Sequence, residues 1–204
     1  MGIIAADLFI TLDGVYQAPG GREEDRAGGF EFGGWQAPFS DPAVGQSIMA
    51  SIARTDALLL GRRTYDIFSA YWPFQPIDDP VASKFAAIPK FVVSRTLHDP
   101  SWADTTVLRD AASVGQLRER FREVHSWGSG ELLRSLLTEG ALDQLNMWMY
   151  PIVLGTGKRL FDTGAIPLTF RPAQPAQVFD EGVLGLVLEP AGEVRTGEVG
   201  SAEG

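Results

Sequence analysis

The sequence has 204 residues, of which 45% are hydrophobic and 21% are charged, and its formal net charge is −9. This composition is typical of one globular domain, and the acidic balance argues against nucleic acid and anionic membranes as partners. The chain has no Cys and only two His, which excludes disulfide scaffolds, Cys-ligated metals and thiolate catalysis, so we expect no bound metal.

The amino-terminal segment predicts a buried first strand. Residues 2–12 are apolar and β-branched, and Asp13-Gly14 then indicates a turn. The segment lacks the basic start of a signal peptide, so we expect a cytoplasmic protein. Residues 17–40 follow with six Gly, and this predicts a long irregular loop that serves as a lid or binding loop.

The rest of the chain alternates between helix and strand signals. Asp41-Pro42 predicts a helix from Pro42 to Arg54 with Asp41 as its N-cap. We predict the later elements in this order: strand 57–60, helix from about Thr64, helix 80–87, strand 90–93, minor strand 107–108, amphipathic surface helix 113–123, strand 124–127, helix 131–139, strand 145–154 and a hairpin over 178–188.

This alternation predicts an α/β fold with a mixed, mainly parallel sheet and a C-terminal antiparallel hairpin. From Ala191 onward the composition turns to Gly, Glu, Ser and Thr. We therefore predict one domain over residues 1–190 and a disordered tail over residues 191–204.

Three predicted turns share the same chemistry, and each follows a short apolar strand. Their residues are Gly61, Arg62, Arg63 and Thr64; Ser94, Arg95 and Thr96; and Gly128, Ser129, Gly130 and Glu131. In an open α/β sheet such turns gather at the carboxyl edge, where Gly permits close approach and helix-start N–H groups attract anions. Arg adds bidentate phosphate binding, although each Arg alone fits an ordinary surface position equally well. Neither a standard Rossmann fingerprint nor a P-loop is present, so the residues predict a phosphate-bearing ligand without naming it.

Five motifs, in this order along the chain, resemble the dihydrofolate-reductase-like superfamily. More narrowly, residues 2–189 resemble the reductase domain of riboflavin biosynthesis and its stand-alone bacterial relatives. The resemblance implies a three-layer α/β fold and NADPH as the cofactor. The motifs are Thr11-Leu12-Asp13-Gly14-Val15, the eight residues 58–65 (LLLGRRTY), the seven residues 91–97 (FVVSRTL), the six residues 127–132 (WGSGEL) and the eleven residues 151–161 (PIVLGTGKRLF).

The resemblance also assigns roles to the three turns. It implies that residues 61–64 hold the pyrophosphate and the nearby ribose, and that Ser94, Arg95 and Thr96 hold the adenosine 2′-phosphate. The residues that would hold the pyrophosphate from the other side are Gly128, Ser129, Gly130, Glu131 and Leu132. A third phosphate explains why Arg rather than an acid follows the middle strand.

Catalytic and substrate-binding candidates follow from the same resemblance. Asp13 would lie beside the nicotinamide pocket, where it orients the substrate or passes a proton, although an ordinary turn Asp fits the same position. The helix after Asp41 carries no further acid, so Asp41 itself would have to protonate the substrate. The aromatic residues expected to wall a flat heterocycle, or simply to pack, are Trp35, Phe39, Tyr71 and Trp72.

The expected function is an NADPH-dependent reduction of a small nitrogen heterocycle or a ribosylamino-pyrimidine, as a 5-amino-6-(5-phosphoribosylamino)uracil reductase performs. Two alternatives are a dihydrofolate reductase and a pterin- or nucleotide-binding protein without catalysis. The chain lacks the Cys and the length for the zinc deaminase to which riboflavin-pathway reductases are usually fused. A homodimer is expected from the resemblance and from the apolar run 147–150, which fits the core equally well.

Overall fold

A computed structural model describes residues 1–162 and 165–199 of the chain. Within these residues the nine strands of one sheet are β1 (Ile3–Thr11), β2 (Ala57–Gly61), β3 (Lys90–Val93), β4 (Thr105–Leu108), β5 (Glu123–Trp127), β6 (Gln144–Tyr150), β7 (Phe170–Pro172), β8 (Gln177–Val178) and β9 (Leu184–Pro190). The α-helices are α1 (Pro42–Arg54), α2 (Arg62–Tyr71), α3 (Pro80–Ala87) and α4 (Gly130–Thr138). Short 3₁₀ helices lie at Ala27–Gly29, Trp72–Phe74 and Ala112–Glu119.

The sheet is mixed and mainly parallel. Its strand order is β4-β3-β2-β5-β1-β6-β9-β7, with β8 also paired to β9. The six strands from β4 to β6 run parallel, whereas β7, β8 and β9 pair in antiparallel fashion at the carboxyl-terminal end of the chain. Parallel neighbours require crossover connections, and α1 to α4 supply most of them, whereas residues 94–104 join β3 to β4 without a helix. The predicted α/β fold class with a C-terminal antiparallel hairpin is confirmed.

Helices cover both faces of the sheet, which gives three layers. On one face α4 and the 3₁₀ helix at Ala112–Glu119 bury Leu133, Leu136 and Val114 against apolar side chains of β1 and β5. On the other face α1, α2 and α3 pack over a core rich in aromatic residues. Because side chains alternate along a strand, β1 and β2 contribute to both cores, which explains their nearly continuous apolar runs.

Two predicted helix boundaries are wrong. Helix α2 begins at Arg62 rather than near Thr64, because the chain turns into the helix directly after Gly61. The amphipathic run predicted as a helix over 113–123 forms a 3₁₀ helix at Ala112–Glu119, because Glu123 already begins β5. The buried apolar positions of that run, Val114 and Leu117, are as expected.

The strand predicted over 145–154 is also too long. It ends at Tyr150, because Pro151 has no N–H to donate to a sheet ladder. The short strand β7 at the sheet edge was missed, since three residues carry no periodic signal.

The carboxyl-terminal tail is described up to residue 199. Ala191 N donates to Thr169 O at 2.7 Å, and Thr169 N donates to Gly192 O at 2.9 Å, so the first tail residues pair with the chain. Residues 200–204 of the predicted tail lie outside the described residues, and the division at residue 190 stays a prediction. In the described part of the chain, no helix has the length and apolar character needed to cross a membrane.

Candidate cofactor and substrate site

The three turns that follow β2, β3 and β5 meet at one edge of the sheet. We call them the Gly61 turn (residues 61–64), the Ser94 turn (94–96) and the Gly128 turn (128–131), and together they form the rim. The three strands are parallel neighbours, so their carboxyl ends lie side by side. The structure therefore brings the three predicted turns together at one edge of the sheet.

Hydrogen bonds link each turn to the next. Gly61 N donates to Ser129 Oγ at 3.0 Å, and Ser129 N donates to Thr64 Oγ1 at 3.1 Å. Arg62 Nη1 donates to Thr96 Oγ1 at 3.3 Å, which ties the Gly61 turn to the Ser94 turn. These contacts hold the three turns as one surface.

Two helices begin at this rim without a side-chain cap. Gly61 precedes α2 and Ser129 precedes α4, and neither makes a side-chain hydrogen bond to the first helical turn. The first N–H groups of an α-helix have no partner within the helix, so both helix starts present free donors and a partial positive charge. Such a surface favours the oxygens of an anion.

The Gly128 turn has an unusual backbone. Gly128 has φ 62° and Ser129 has φ 55°, which is the left-handed region. A residue other than Gly in this region stores strain of about 1 to 3 kcal/mol, and such strain is concentrated at functional sites. Gly130 is needed for a different reason, because a Cβ there would lie 2.3 Å from Cζ of Tyr16.

The other residues assigned to the Gly128 turn differ in exposure. Leu132 is buried in the core under α4, so only its backbone can reach a ligand. Glu131 is exposed and lines a cavity of about 280 Å³ beside the start of α4, together with Tyr16 and Arg134. Burial and the nearby charge of Glu131 raise the pKa of Tyr16 to about 12, so the phenol stays protonated at neutral pH.

The two arginines of the Gly61 turn diverge. Arg62 pairs with Asp66 on the next turn of α2 at 2.9 Å, in addition to its contact with Thr96. Arg63 donates to Asp25 in the long early loop at 2.8 Å, and Lys158 donates to the same carboxylate at 2.6 Å. Adjacent residues on a helix point about 100° apart, and the spacing therefore sends the two guanidinium groups to different neighbours.

Arg95 differs from both of these arginines. Its side chain is exposed and makes no hydrogen bond or ion pair with any residue that the structure describes. Ser94 shapes the turn, because its Oγ accepts from Thr96 N at 3.2 Å and from Leu97 N at 3.1 Å. Arg109, which the sequence did not single out, donates to the carbonyl oxygens of Ser94, Arg95 and Leu97. The Ser94 turn is thus held in place by hydrogen bonds, and the charge of Arg95 interacts with Asp110, whose pKa is lowered by hydrogen bonds from Ser113 and to a smaller extent by Arg95.

The two carboxylates assigned to catalysis are both engaged within the protein. Asp13 accepts from Leu154 N, Gly155 N and Arg159 Nη2 at 3.2, 2.8 and 3.1 Å. Burial opposes ionisation of Asp13, but its hydrogen bonds, the shortest of them from Thr11 Oγ1, lower the pKa to about 2. The group is therefore a carboxylate at neutral pH.

Asp41 caps α1 as predicted. Its Oδ1 accepts from Ala43 N at 2.7 Å, and its Oδ2 accepts from Asp180 N at 3.0 Å. Both carboxylate oxygens thus have a backbone partner. The catalytic role of Asp41 stays a prediction, and a test of it is given below.

The aromatic candidates fall into two groups. Trp35 and Phe39 lie against Tyr150, with ring centroids 5.3 and 5.6 Å apart. Tyr71 and Trp72 contact each other at the end of α2, and Trp72 also packs against the Phe85 ring of α3. Among the described residues no ring of the first pair contacts a ring of the second. The four rings therefore do not form one continuous surface, and their role in binding a flat heterocycle stays a prediction.

A layer of aromatic residues that the sequence reading missed lies between the rim and the centre of the sheet. Phe9, Trp127 and Trp148 come from three adjacent strands, and their ring centroids lie 5.6 to 6.2 Å apart. Trp127 directly precedes Gly128, and its Nε1 is buried without a hydrogen-bond partner among the described residues. The signal that could have found this layer is an aromatic residue near the carboxyl end of each of β1, β5 and β6.

Comparisons with known proteins agree with this geometry. YyaP, an uncharacterized protein of Bacillus subtilis strain 168, is 24% identical over 166 residues, which is 78% of this chain and 79% of YyaP. A solved structure of a protein assigned to riboflavin biosynthesis in Shewanella sp. PV-4 has a TM-score of 0.70 at 20% identity and covers 93% of this chain and 99% of its own.

Two further solved structures share the fold. RibD of Acinetobacter baumannii has a TM-score of 0.60 at 15% identity over 94% of this chain and 58% of its own. Dihydrofolate reductase of Enterococcus faecalis, complexed with NADP(H), has a TM-score of 0.58 at 13% identity over 93% of this chain and 96% of its own. At these identities the likeness shows the dihydrofolate-reductase-like fold. The model of the RibD C-terminal domain, in contrast, matches residues 3–184, nearly the whole chain. The chain therefore belongs to the RibD C-terminal domain family, a reductase family.

Proposed function

We propose that this protein is an NADPH-dependent reductase that transfers hydride to a small nitrogen heterocycle or to a ribosylamino-pyrimidine. The observation that supports the proposal most directly is the rim. There, the turns after three neighbouring strands meet, and two helices begin without a side-chain cap, so their first N–H groups can bind an anion. Family membership and the likeness to a dihydrofolate reductase complexed with NADP(H) support it.

The residues of the rim fit the phosphates of NADPH. In the proposal, the first N–H groups of α2 and α4 would donate hydrogen bonds to the pyrophosphate. Arg95, an exposed cation of the Ser94 turn, binds the adenosine 2′-phosphate. When bound, NADPH would supply the hydride.

The chain's own contribution is mainly to position the reactants and exclude water. Holding the nicotinamide and the acceptor together can supply about 7 to 11 kcal/mol of a barrier. Asp13, with a pKa of about 2, orients groups as a carboxylate and does not act as a proton donor at neutral pH. Trp35, Phe39, Tyr71 and Trp72 are the proposed aromatic contacts of a flat heterocycle, and the first two of them pack against Tyr150.

The test is a titration of the purified protein with NADPH and with NADH, followed by NADPH oxidation against pteridines, pyrimidines and quinones. We expect NADPH to bind more tightly than NADH and one nitrogen heterocycle to be reduced. Turnover of dihydrofolate alone would replace the proposal with a folate reductase. Binding without any oxidation would favour a nucleotide-binding protein, and absence of NADPH binding would refute the proposal.

A homodimer is part of the same proposal, and light scattering of the purified protein tests it. The run 147–150 does not support it, because Met147, Trp148 and Tyr150 are buried in β6 between β1 and β9. Only the family resemblance supports the proposed homodimer. The cytoplasmic location inferred from the sequence also stays a prediction.

A further inference from the structure

A cluster of charged and polar side chains lies buried at the centre of the sheet, below the aromatic layer. Asp7 on β1 is 1% exposed and His125 on β5 is 0% exposed. His125 Nδ1 lies 2.6 Å from Asp7 Oδ2. Ser51 Oγ of α1 and Asn146 Nδ2 of β6 donate to Asp7 Oδ1 at 2.5 and 3.0 Å. Four elements of the fold thus contribute to one buried carboxylate.

The cluster extends from His125 to the surface. His125 Nε2 lies 3.1 Å from Glu123 Oε2, and the same oxygen lies 3.3 Å from Nε of Arg54, an exposed residue on α1. Both ring nitrogens therefore face carboxylates, and only the imidazolium can donate to both. The groups then alternate in charge from Arg54 through Glu123 and His125 to Asp7. On β2, the residue that pairs with His125 is Leu58, which adds no charge.

The balance of forces on His125 favours the protonated ring. Burial disfavours the charge, but the carboxylates of Asp7 and Glu123 outweigh it and raise the pKa of His125 above its ordinary value of 6.5. The stabilisation from the charged pair is therefore complete below about pH 6.5 and is lost as the pH rises through the raised pKa of the folded state.

Asp7 connects this cluster to the rim. Its backbone carbonyl accepts from Gly128 N at 3.0 Å, and its Cα pairs with that of Trp127 in the sheet register. The side chain of Asp7 thus holds the buried ions while its backbone holds the first residue of the Gly128 turn. A buried ion pair is a weak source of stability, and titratable groups with shifted pKa values are concentrated at functional sites. The cluster therefore calls for a functional explanation.

We propose that Asp7 and His125 are positioning residues, and that the pair, with His125 protonated, holds the Gly128 turn in the geometry that binds the cofactor's pyrophosphate. This inference rests on the proposed function. Loss of the proton from Nε2 removes the charge on the ring and turns a lone pair towards Glu123, so that Nδ1–H donates to Asp7 only as a neutral group. The Asp7 carboxylate then shifts, and the Gly128 turn shifts with its backbone.

The test compares the wild type with His125→Asn, whose amide can still donate to Asp7 but does not titrate. We would follow the backbone amide resonance of Gly128 in ¹⁵N-labelled protein, together with the Kd for NADPH, from about pH 6 to about pH 9. In the wild type we expect the Gly128 resonance to titrate with the His125 ring and the Kd to rise about fivefold or more. In His125→Asn the Gly128 resonance should not change with pH. The 2′-phosphate of NADPH titrates equally with both proteins, so the ratio of the wild-type Kd to the variant Kd isolates the contribution of His125.

Two further variants control the experiment. His98→Asn removes the other histidine of the chain, and the Gly128 titration should persist in it. Glu123→Gln removes one carboxylate from the surface end of the cluster, so the Gly128 midpoint should move to lower pH, and this variant serves if His125→Asn does not fold.

The outcomes separate the two proposals. A Gly128 resonance that ignores the His125 titration, or a His125→Asn protein that keeps the wild-type pH dependence of the Kd, would overturn the positioning role. Absence of NADPH binding at every pH would refute the proposed function, whereas a Gly128 resonance that follows His125 would still support the coupling between the pair and the turn.

Discussion

Helices α1 and α3 begin differently from α2 and α4. Asp41 caps α1, and Asp79 caps α3 by accepting from Val81 N at 2.9 Å and from Ala82 N at 2.8 Å. Gly61 and Ser129 stand at the same position of α2 and α4 and provide no side-chain cap. Carboxylate side chains thus cap the starts of the first pair of helices, whereas no side chain caps the starts of the second pair. The second pair begins at the rim, which is where the cofactor is proposed to bind.

The largest loss of NADPH binding is expected if a carboxylate is placed at the uncapped start of α2. Gly61 has φ −73° and ψ 159°, which any residue adopts, and the nearest atom to an added Cβ is Leu132 Cβ at 3.4 Å. Gly61→Asp should therefore fold. Its charge would face the pyrophosphate, and like charges in contact cost several kcal/mol, so we expect NADPH binding to weaken by more than about 100-fold.

Gly61→Asn is the matched control, because Asn has the same shape and caps a helix as well as Asp does. Isothermal titration calorimetry with NADPH measures both variants, and denaturant unfolding confirms that both fold. The neutral variant should lose much less affinity than the charged one. Equal losses would mean that shape, and not charge, matters at Gly61, and the α2 start would not be the pyrophosphate site.

A smaller and more selective effect is expected at Arg95. Arg95→Ala should weaken NADPH binding by about 10- to 100-fold, which corresponds to the roughly 1.5 to 3 kcal/mol of a hydrogen bond to a charged group, and should leave NADH binding nearly unchanged. Arg171→Ala is the control, since Arg171 is exposed on β7 and pairs with Glu189. Titration of each variant with both cofactors gives the ratio. If the Kd values for NADPH and NADH rise together, Arg95 does not bind the 2′-phosphate.

The sequence predicted features that depend on neighbouring residues. Asp41-Pro42 encodes the start of α1 locally, and the turn after each short apolar strand placed the rim correctly. The Asp7 and His125 pair was missed because its members lie 118 positions apart, and strand register alone brings them together. The different directions of Arg62 and Arg63 were missed because they depend on the partners Asp66 and Asp25 and on helix geometry. Such contacts follow from packing, which a single sequence does not show.

The smallest expected effects are changes in stability when the caps of α1 and α3 are replaced. They help to distinguish a capping role of Asp41 from a catalytic one. In Asp79→Asn the single amide oxygen can replace Oδ1, which accepts both N–H groups, so stability should change by less than about 0.5 kcal/mol. In Asp41→Asn the one oxygen cannot replace both carboxylate oxygens, and loss of the bond from Asp180 N should cost about 1 kcal/mol. Urea unfolding measures both differences.

The same two variants test whether Asp41 acts in catalysis. If Asp41 is only a cap, NADPH oxidation by Asp41→Asn should match that of Asp79→Asn once both are assayed well below their unfolding transitions. This is the result we expect, because both oxygens of Asp41 are already engaged by backbone N–H groups. A loss of turnover confined to Asp41→Asn, with unchanged NADPH binding, would instead make Asp41 the proton donor, and α1 would then begin at a catalytic group as well as at a cap.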